Sequence, residues 1–568
     1  MSKYSLIDNA VADSKEWYEA ASAIKEASDG DEDLAAVMAA LDYHFPVENG
    51  LETPFGPMWV IKGQSYPLPI ANFPDAGIAA LQDALDEVTN PLVRARISDV
   101  LWVRKVTNAY KYARIAFTAY RWLAENGTEP LMITYSSNRA LEIAVQLNDS
   151  DMTHDAVENS FTRLSELTAL DDRVPGASLR IAARLIPLAK RLHIRDRISE
   201  ALEECASRYF DDLHVISGIR DLQVSLFRDD LSVAQEYSRL QVREWIRASS
   251  NQTGLLRQAN LKKARDIAAA AGLSAELAEA RTLIELFPVS EDELQEVSTT
   301  IEVPAERIRQ FEDSFFKGGN MLSFLNMFGL HCPLPEAYSE VEAHVKELMR
   351  DYPIQFLMTR IILNNEGLPV KFVRSEDEHF EQAIKGDQSM RSQIWLTMAS
   401  EILTRGLNTY PDYMEAVREY FTVDFIPQEL IEIIARAFEH FANNRFDESL
   451  CILLPRLEGI FRSMARSIGI AVYTDPSGET PGAYKSLGAL LSQFDGFLPD
   501  DYRRYFLTTI GDPMAMNTRN LLCHGLMLTP TRHEAVLALH IATMLATLRV
   551  TRSSPDSSES KPSERHRC

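Results

Sequence analysis

At 568 residues the chain is too long for one hydrophobic core, and its length calls for roughly three or four domains. Hydrophobic residues make up 46% and charged residues 25%, the composition of a folded soluble protein, and no apolar run approaches the roughly 20 residues needed to span a bilayer. The formal charge is −24 and is unevenly placed: residues 1–426 hold 43 Lys and Arg against 66 Asp and Glu, whereas 427–552 hold 12 against 13. The acidity is read as a solubility device. It argues against a nucleic-acid coat protein but leaves room for RNA chemistry near the C-terminus. The opening residues 1–8 lack the basic head and apolar stretch of a secretory signal. Five scattered cysteines (Cys205, Cys332, Cys451, Cys523, Cys568) form no CxxC pair, which excludes a disulfide framework and a zinc site and suits a reduced, cytoplasmic protein.

In chain order, residues 13–44 predict one or two helices, since Trp17, Ala20, Ile24, Leu34, Val37 and Leu41 recur at helical spacing. The Pro- and Gly-rich stretch 44–75 predicts a long loop or short strands. From Ala76 to about Phe287 helix follows helix, separated by breakers such as Asn90-Pro91, Asn126-Gly127 and Gly272. Paired helices of this length suggest an irregular array or solenoid without a fixed repeat. Trp102 and Trp122 are read as packing between helices rather than as ligand platforms. Val303-Pro304 is helix-opening punctuation. Runs at 356–363 and 369–373 flank Asn364-Asn365-Glu366-Gly367 and predict a β-hairpin. The acidic stretch Ser375-Glu376-Asp377-Glu378 reads as a solvated loop, and the Ser- and charge-rich 553–568 as a disordered tail.

The fold class expected is therefore mainly α. The divisions are 1–75, a helical array over 76–300, a middle region with a hairpin over 301–426, a helical bundle over 427–552, and the tail. Within the bundle the predicted helices are 427–443, 447–468, 487–494, 500–510, 514–526 and 531–551. Pro455 should kink or split the second of these, and Gly469 should end it.

One segment of the bundle carries chemistry. Arg519 and His524 lie about 140° apart on a helix, while Asn520 and His524 share a face. Upstream, Glu458 and Arg462 are one turn apart and read first as an ion pair. The run Asn517-Thr518-Arg519-Asn520-Leu521-Leu522-Cys523-His524-Gly525 resembles the active-site pattern of HEPN ribonucleases. Gly525 after the His matches a bacterial subgroup of uncharacterised proteins with an RNxxxHG signature. The segment 454–462 resembles that subgroup's second bundle helix, and the region around Asp99-Val100-Leu101-Trp102 resembles the helical domain often fused to it.

The resemblance implies metal-independent cleavage of RNA by attack of a 2′-hydroxyl on the adjacent phosphate, with neither metal nor cofactor. It gives the catalytic residues as Arg519, Asn520 and His524, with Glu458 and Arg462 in support. His524 would move the proton, Arg519 would hold the phosphate, and Asn520 would orient the His or bond the ribose. It also implies a homodimer through the bundle, a protein regulator acting on the N-terminal region, and use as a regulated toxin or phage-defence effector. The competing reading is a non-catalytic scaffold that keeps the bundle for dimerisation. His440, His533 and His540 are read as packing or surface residues, and Cys523 as a small buried filler. The sequence has no Walker loop, GxGxxG, HExxH or GxSxG.

Overall fold

The computed structural model describes residues 3–27, 31–45, 55–61, 63–170, 176–295, 302–334, 338–364, 366–476 and 481–549. The chain is mainly α, and its strands among these residues form two-stranded ribbons. It divides into two compact units, 1–293 and 294–568. No helix among the described residues is long and apolar enough to cross a membrane. The tail 553–568 and Asn365 lie outside the described residues.

In the N-terminal unit the expected helices are Trp17–Ala27 and Glu32–Leu41, and the Pro-rich stretch contributes the ribbon Trp59–Ile61 with Gln64–Tyr66. From Asp75–Glu87 to Ser274–Leu286 successive helices pack largely on their predecessors. Their ends show why they start where they do. Asn90, Asp149, Asp212 and Asp230 each accept a backbone N–H of the following first turn, meeting donors that the helix leaves open. Trp102 packs partly buried against the core of this unit, as read, but Trp122 is 48% exposed.

In the C-terminal unit the core surrounds the helix Arg532–Thr547, in which every residue from Ala535 to Ala546 is buried. A helix apolar all round must be covered on every side. Met321–Leu330, Glu376–Thr409, Gln428–Ala442 and Phe446–Ser467 all pack on it. Gly329 allows the closest approach: a Cβ there would lie 2.6 Å from the carbonyl oxygen of Thr543.

Three local expectations change. Ser375-Glu376-Asp377-Glu378 is not a loop but the start of the 34-residue helix Glu376–Thr409. Ser375 accepts the Glu378 N–H and Glu378 accepts the Ser375 N–H, a capping box, and the three acids sit at the positive end of the helix dipole. Phe356 and Leu357 belong to a helical turn, Ile354–Leu357, because Pro353 starts it. The first hairpin strand begins later, at Arg360–Leu363, and the second is Pro369–Val373 as read. The Asn364 side chain accepts the N–H groups of Glu366 and Leu368, and Gly367 has φ +76°, so the Asn/Gly turn is as read. Pro455 does not split its helix; Phe446–Ser467 is continuous. The carbonyl of Cys451, which a proline four residues on cannot satisfy, receives Arg456 Nη1 at 3.5 Å.

His540 sits wholly inside this core, as a packing residue. Trp395 Nε1, which can only donate, reaches its Nδ1 at 3.2 Å, and the Tyr505 hydroxyl reaches the same atom at 3.0 Å. Nδ1 is thereby the acceptor and Nε2 carries the proton, which it donates to the His331 carbonyl at 3.2 Å. Burial, together with the neighbouring His331, pushes the His540 imidazole down to about 3, and burial pushes His331 down to about 4. An unfolded histidine takes its proton near pH 6.5. Below that value the unfolded chain binds protons that the folded unit refuses, so this stability is complete above pH 6.5 and is lost as pH falls towards 4 and 3. At pH 5 the loss from His540 alone is about 2 kcal/mol. Urea unfolding of the C-terminal unit at pH 7.5 and pH 5 checks this; equal stabilities at the two values would contradict it.

Candidate active site

The motif segment is more broken than a single helix over 514–526. The helix Asp500–Phe506 runs into a π-type turn, Leu507–Gly511, and a further turn leads to Asn517. Asn517 has φ +53°, a conformation asparagine tolerates, and it begins the six-residue helix Thr518–Cys523. Thr518 is buried and anchors it. His524 is the C-terminal cap, and Gly525 follows at φ +74°. The N–H groups of Leu526 and Met527 turn back to the Leu521 carbonyl. A left-handed residue closing a helix in this way favours glycine, which gives the Gly after His524 a backbone reason of its own.

Four of the five sequence-predicted residues meet in one network. Glu458, 7% exposed on the Phe446–Ser467 helix, uses both carboxylate oxygens. Oε1 accepts Arg462 Nη2, and Oε2 accepts Arg519 Nη2 at 2.7 Å. Arg519 Nη1 donates to Asn520 Oδ1 at 2.9 Å, and Asn520 Nδ2 donates to Asn517 Oδ1 at 2.8 Å. Asn520 is therefore engaged in holding Arg519, with its amide orientation set by a donor on one side and an acceptor on the other. Arg462 also donates to the Lys485 carbonyl at 3.4 Å, and its guanidinium lies 5.1 Å from the centre of the Tyr484 ring.

The fifth residue stands apart. His524 is exposed, one helical turn beyond Asn520, and the polar network stops at Asn520. Cys523 is exposed as well, not the buried filler expected, because the short helix turns that face to solvent. Leu526 and Leu528 next to it are 44% and 86% exposed.

The electrostatics follow from the count. Two guanidiniums share one carboxylate, so the cluster keeps a positive charge at a partly buried place. The Nε atoms of Arg462 and Arg519 are buried with no hydrogen-bond partner among the described residues. Such an arrangement can hold an anion against Arg519 while Glu458 fixes the side chain. Among the described residues no group of three His, Cys, Asp or Glu is placed to hold a metal ion.

Sequence reasoning missed Asn517, Tyr484 and Lys485. Asn517 was open to recognition as a left-handed asparagine before a short helix. Tyr484 belongs to the ribbon Tyr473–Thr474 with Ala483–Tyr484 and Lys485 follows it, and nothing in their local pattern announces a contact with Arg462.

Residues 8–156 match the model of a family described as a domain of unknown function, DUF7380, a stretch wholly inside the N-terminal unit. No curated protein and no solved structure matches the chain.

Proposed function

We propose that the C-terminal unit is a metal-independent endoribonuclease of the HEPN kind, with RNA as substrate. The observation that carries this reading is that Arg519, clamped by Glu458, stands on the six-residue helix whose C-terminal cap is an exposed His524. The 2′-hydroxyl of the nucleotide attacks its 3′-phosphate, the bond to the next 5′-oxygen breaks, and a 2′,3′-cyclic phosphate and a 5′-hydroxyl result. His524 transfers the proton, and Arg519 holds the phosphate oxygens as charge builds on them. Glu458 and Asn520 position Arg519, with Arg462 sharing the carboxylate. A homodimer completes the site: Leu526 and Leu528, exposed beside His524, form an apolar edge that suits a second copy. The acidic N-terminal unit answers to a protein regulator, and the whole serves as a regulated toxin or phage-defence effector.

His524→Ala is expected to lower RNA cleavage at least about a hundredfold. Its melting temperature should match the wild type, because the exposed imidazole holds no partner in the network. Undiminished cleavage by the folded variant would sink the proposal. The exposed Leu526 and Leu528 also favour a second reading, a bundle kept only for dimerisation. Under that reading Leu528→Asp abolishes the dimer while His524→Ala changes nothing measurable.

A further inference from the structure

The N-terminal unit buries a cation with two N–H groups that meet no acceptor among the described residues. Arg96, on the helix Pro91–Val103, is 1% exposed. Its guanidinium carbon lies 4.0, 4.3 and 4.8 Å from the ring centres of Trp17, Phe45 and Phe55. These rings attract the cation and cover it, but they offer no conventional acceptor to its N–H groups. Nε and Nη1 are buried with no hydrogen-bond partner among the described residues. Asp99, one turn along the same helix, has both oxygens taken by Arg139, from Nε at 2.8 Å and Nη2 at 2.7 Å. Glu142 also pairs with Arg139, but it is shared with Arg184. Asp99 therefore acts on Arg96 through its charge, with the Tyr120 hydroxyl close by, while Arg96 Nε and Nη1 meet no acceptor among the described residues. Open donors of this kind are costly to bury, and an anion bound to them relieves that cost.

Arg96 fronts a cavity of about 250 Å³. Leu131, Met132 and Tyr135 of the helix Pro130–Leu147 form an apolar side, and Glu16 and Asp42 also reach the wall. Tyr135 is fixed by stacking on Phe45, and Asp42 accepts the Tyr66 hydroxyl at 2.7 Å. Burial raises the carboxyl groups of Glu16 and Asp42 above their ordinary range.

We propose that this cavity binds a small organic carboxylate, with its carboxylate on Arg96 and an apolar or aromatic body against Tyr135, Met132 and Leu131. A carboxylate supplies the acceptors that the Arg96 Nε and Nη1 groups lack, and its planar shape suits those donors. A phosphate dianion would bring excess negative charge beside Glu16 and Asp42. Trp17, Phe45, Phe55, Arg96 and Tyr135 all lie within the stretch 8–156 that matches the family of unknown function.

The test is calorimetric titration of the full chain with benzoate, with benzamide as the neutral isostere and inorganic phosphate as the second anion. Tryptophan fluorescence follows the same titrations, since Trp17 lines the cavity. Benzoate should bind saturably and quench fluorescence, whereas benzamide and phosphate should bind at least about tenfold more weakly. Arg96→Gln should weaken benzoate by about tenfold or more. Leu131→Trp, at a partly exposed wall position, should block the cavity while leaving Arg96 in place. Equal affinity for benzoate and benzamide, preference for phosphate, or unchanged benzoate binding in folded Leu131→Trp would overturn the proposal. RNA cleavage is not a readout here, so this site and the proposed ribonuclease stand or fall separately.

Discussion

Asp99→Asn is expected to destabilise the N-terminal unit by about 4 kcal/mol. Asp99 is wholly buried, and the Arg139 side chain that forks onto it is 1% exposed. Water screens neither group, so the pair draws its full strength from geometry: two short parallel bonds from Nε and Nη2. The amide keeps the shape but loses the charge, and one of its ends presents N–H groups to a guanidinium that has only N–H groups. Two buried cations, Arg96 and Arg139, then face no buried anion. Urea unfolding followed by tryptophan fluorescence measures the loss in the transition of the N-terminal unit. Arg139→Met combined with Asp99→Asn should cost less than the two single changes added together, because the double variant leaves Arg139 no unpaired charge. A loss below about 1 kcal/mol in Asp99→Asn would show that the pair contributes no more than a surface bridge.

Glu458→Ala is expected to cost the C-terminal unit about 3 kcal/mol, the lower end for breaking a buried pair. The reason for the lower end is solvent: the Arg462 and Arg519 side chains are 23% and 27% exposed, so water partly solvates the cations left behind. The same change frees Arg519 from its clamp, and RNA cleavage should fall further than the lost stability explains. Arg462→Ala separates the two effects. It removes one cation and leaves Glu458 to hold Arg519, so cleavage should largely persist. If Glu458→Ala and wild type unfold at the same urea concentration, the carboxylate is not the keystone of this network.

Much of the fold was legible because helices advertise themselves locally. Periodic apolar positions placed Gln428–Ala442 and Phe446–Ser467 to within a few residues. The failures came where one local signal masked another. The run Ser375–Glu378 is acidic enough to look solvated, yet the same Ser and Glu are the two halves of a capping box. Pro455 looks like a breaker, but an arginine one residue later supplies the missing donor. Met514–Leu526 looks like one helix because its apolar residues are regular, while the left-handed backbone at Asn517 and Gly525 confines the helix to six residues.

The site divides in the same way. Arg519, Asn520 and His524 stood out by motif, and Glu458 with Arg462 by spacing on a helix. That one carboxylate serves both arginines depends on how the Phe446–Ser467 helix packs against Thr518–Cys523, and no spacing rule holds that information. Arg96 was invisible for a stronger reason. On its own helix it resembles any solvated arginine, and the rings of Trp17, Phe45 and Phe55 that enclose it come from far upstream in the chain.

The most direct measurement is incubation of purified full-length protein with labelled RNA in EDTA, followed by analysis of the product ends. Cleavage should persist in EDTA and leave 2′,3′-cyclic phosphate and 5′-hydroxyl termini. Cleavage that EDTA abolishes, or products carrying 5′-phosphates, would contradict the proposed mechanism.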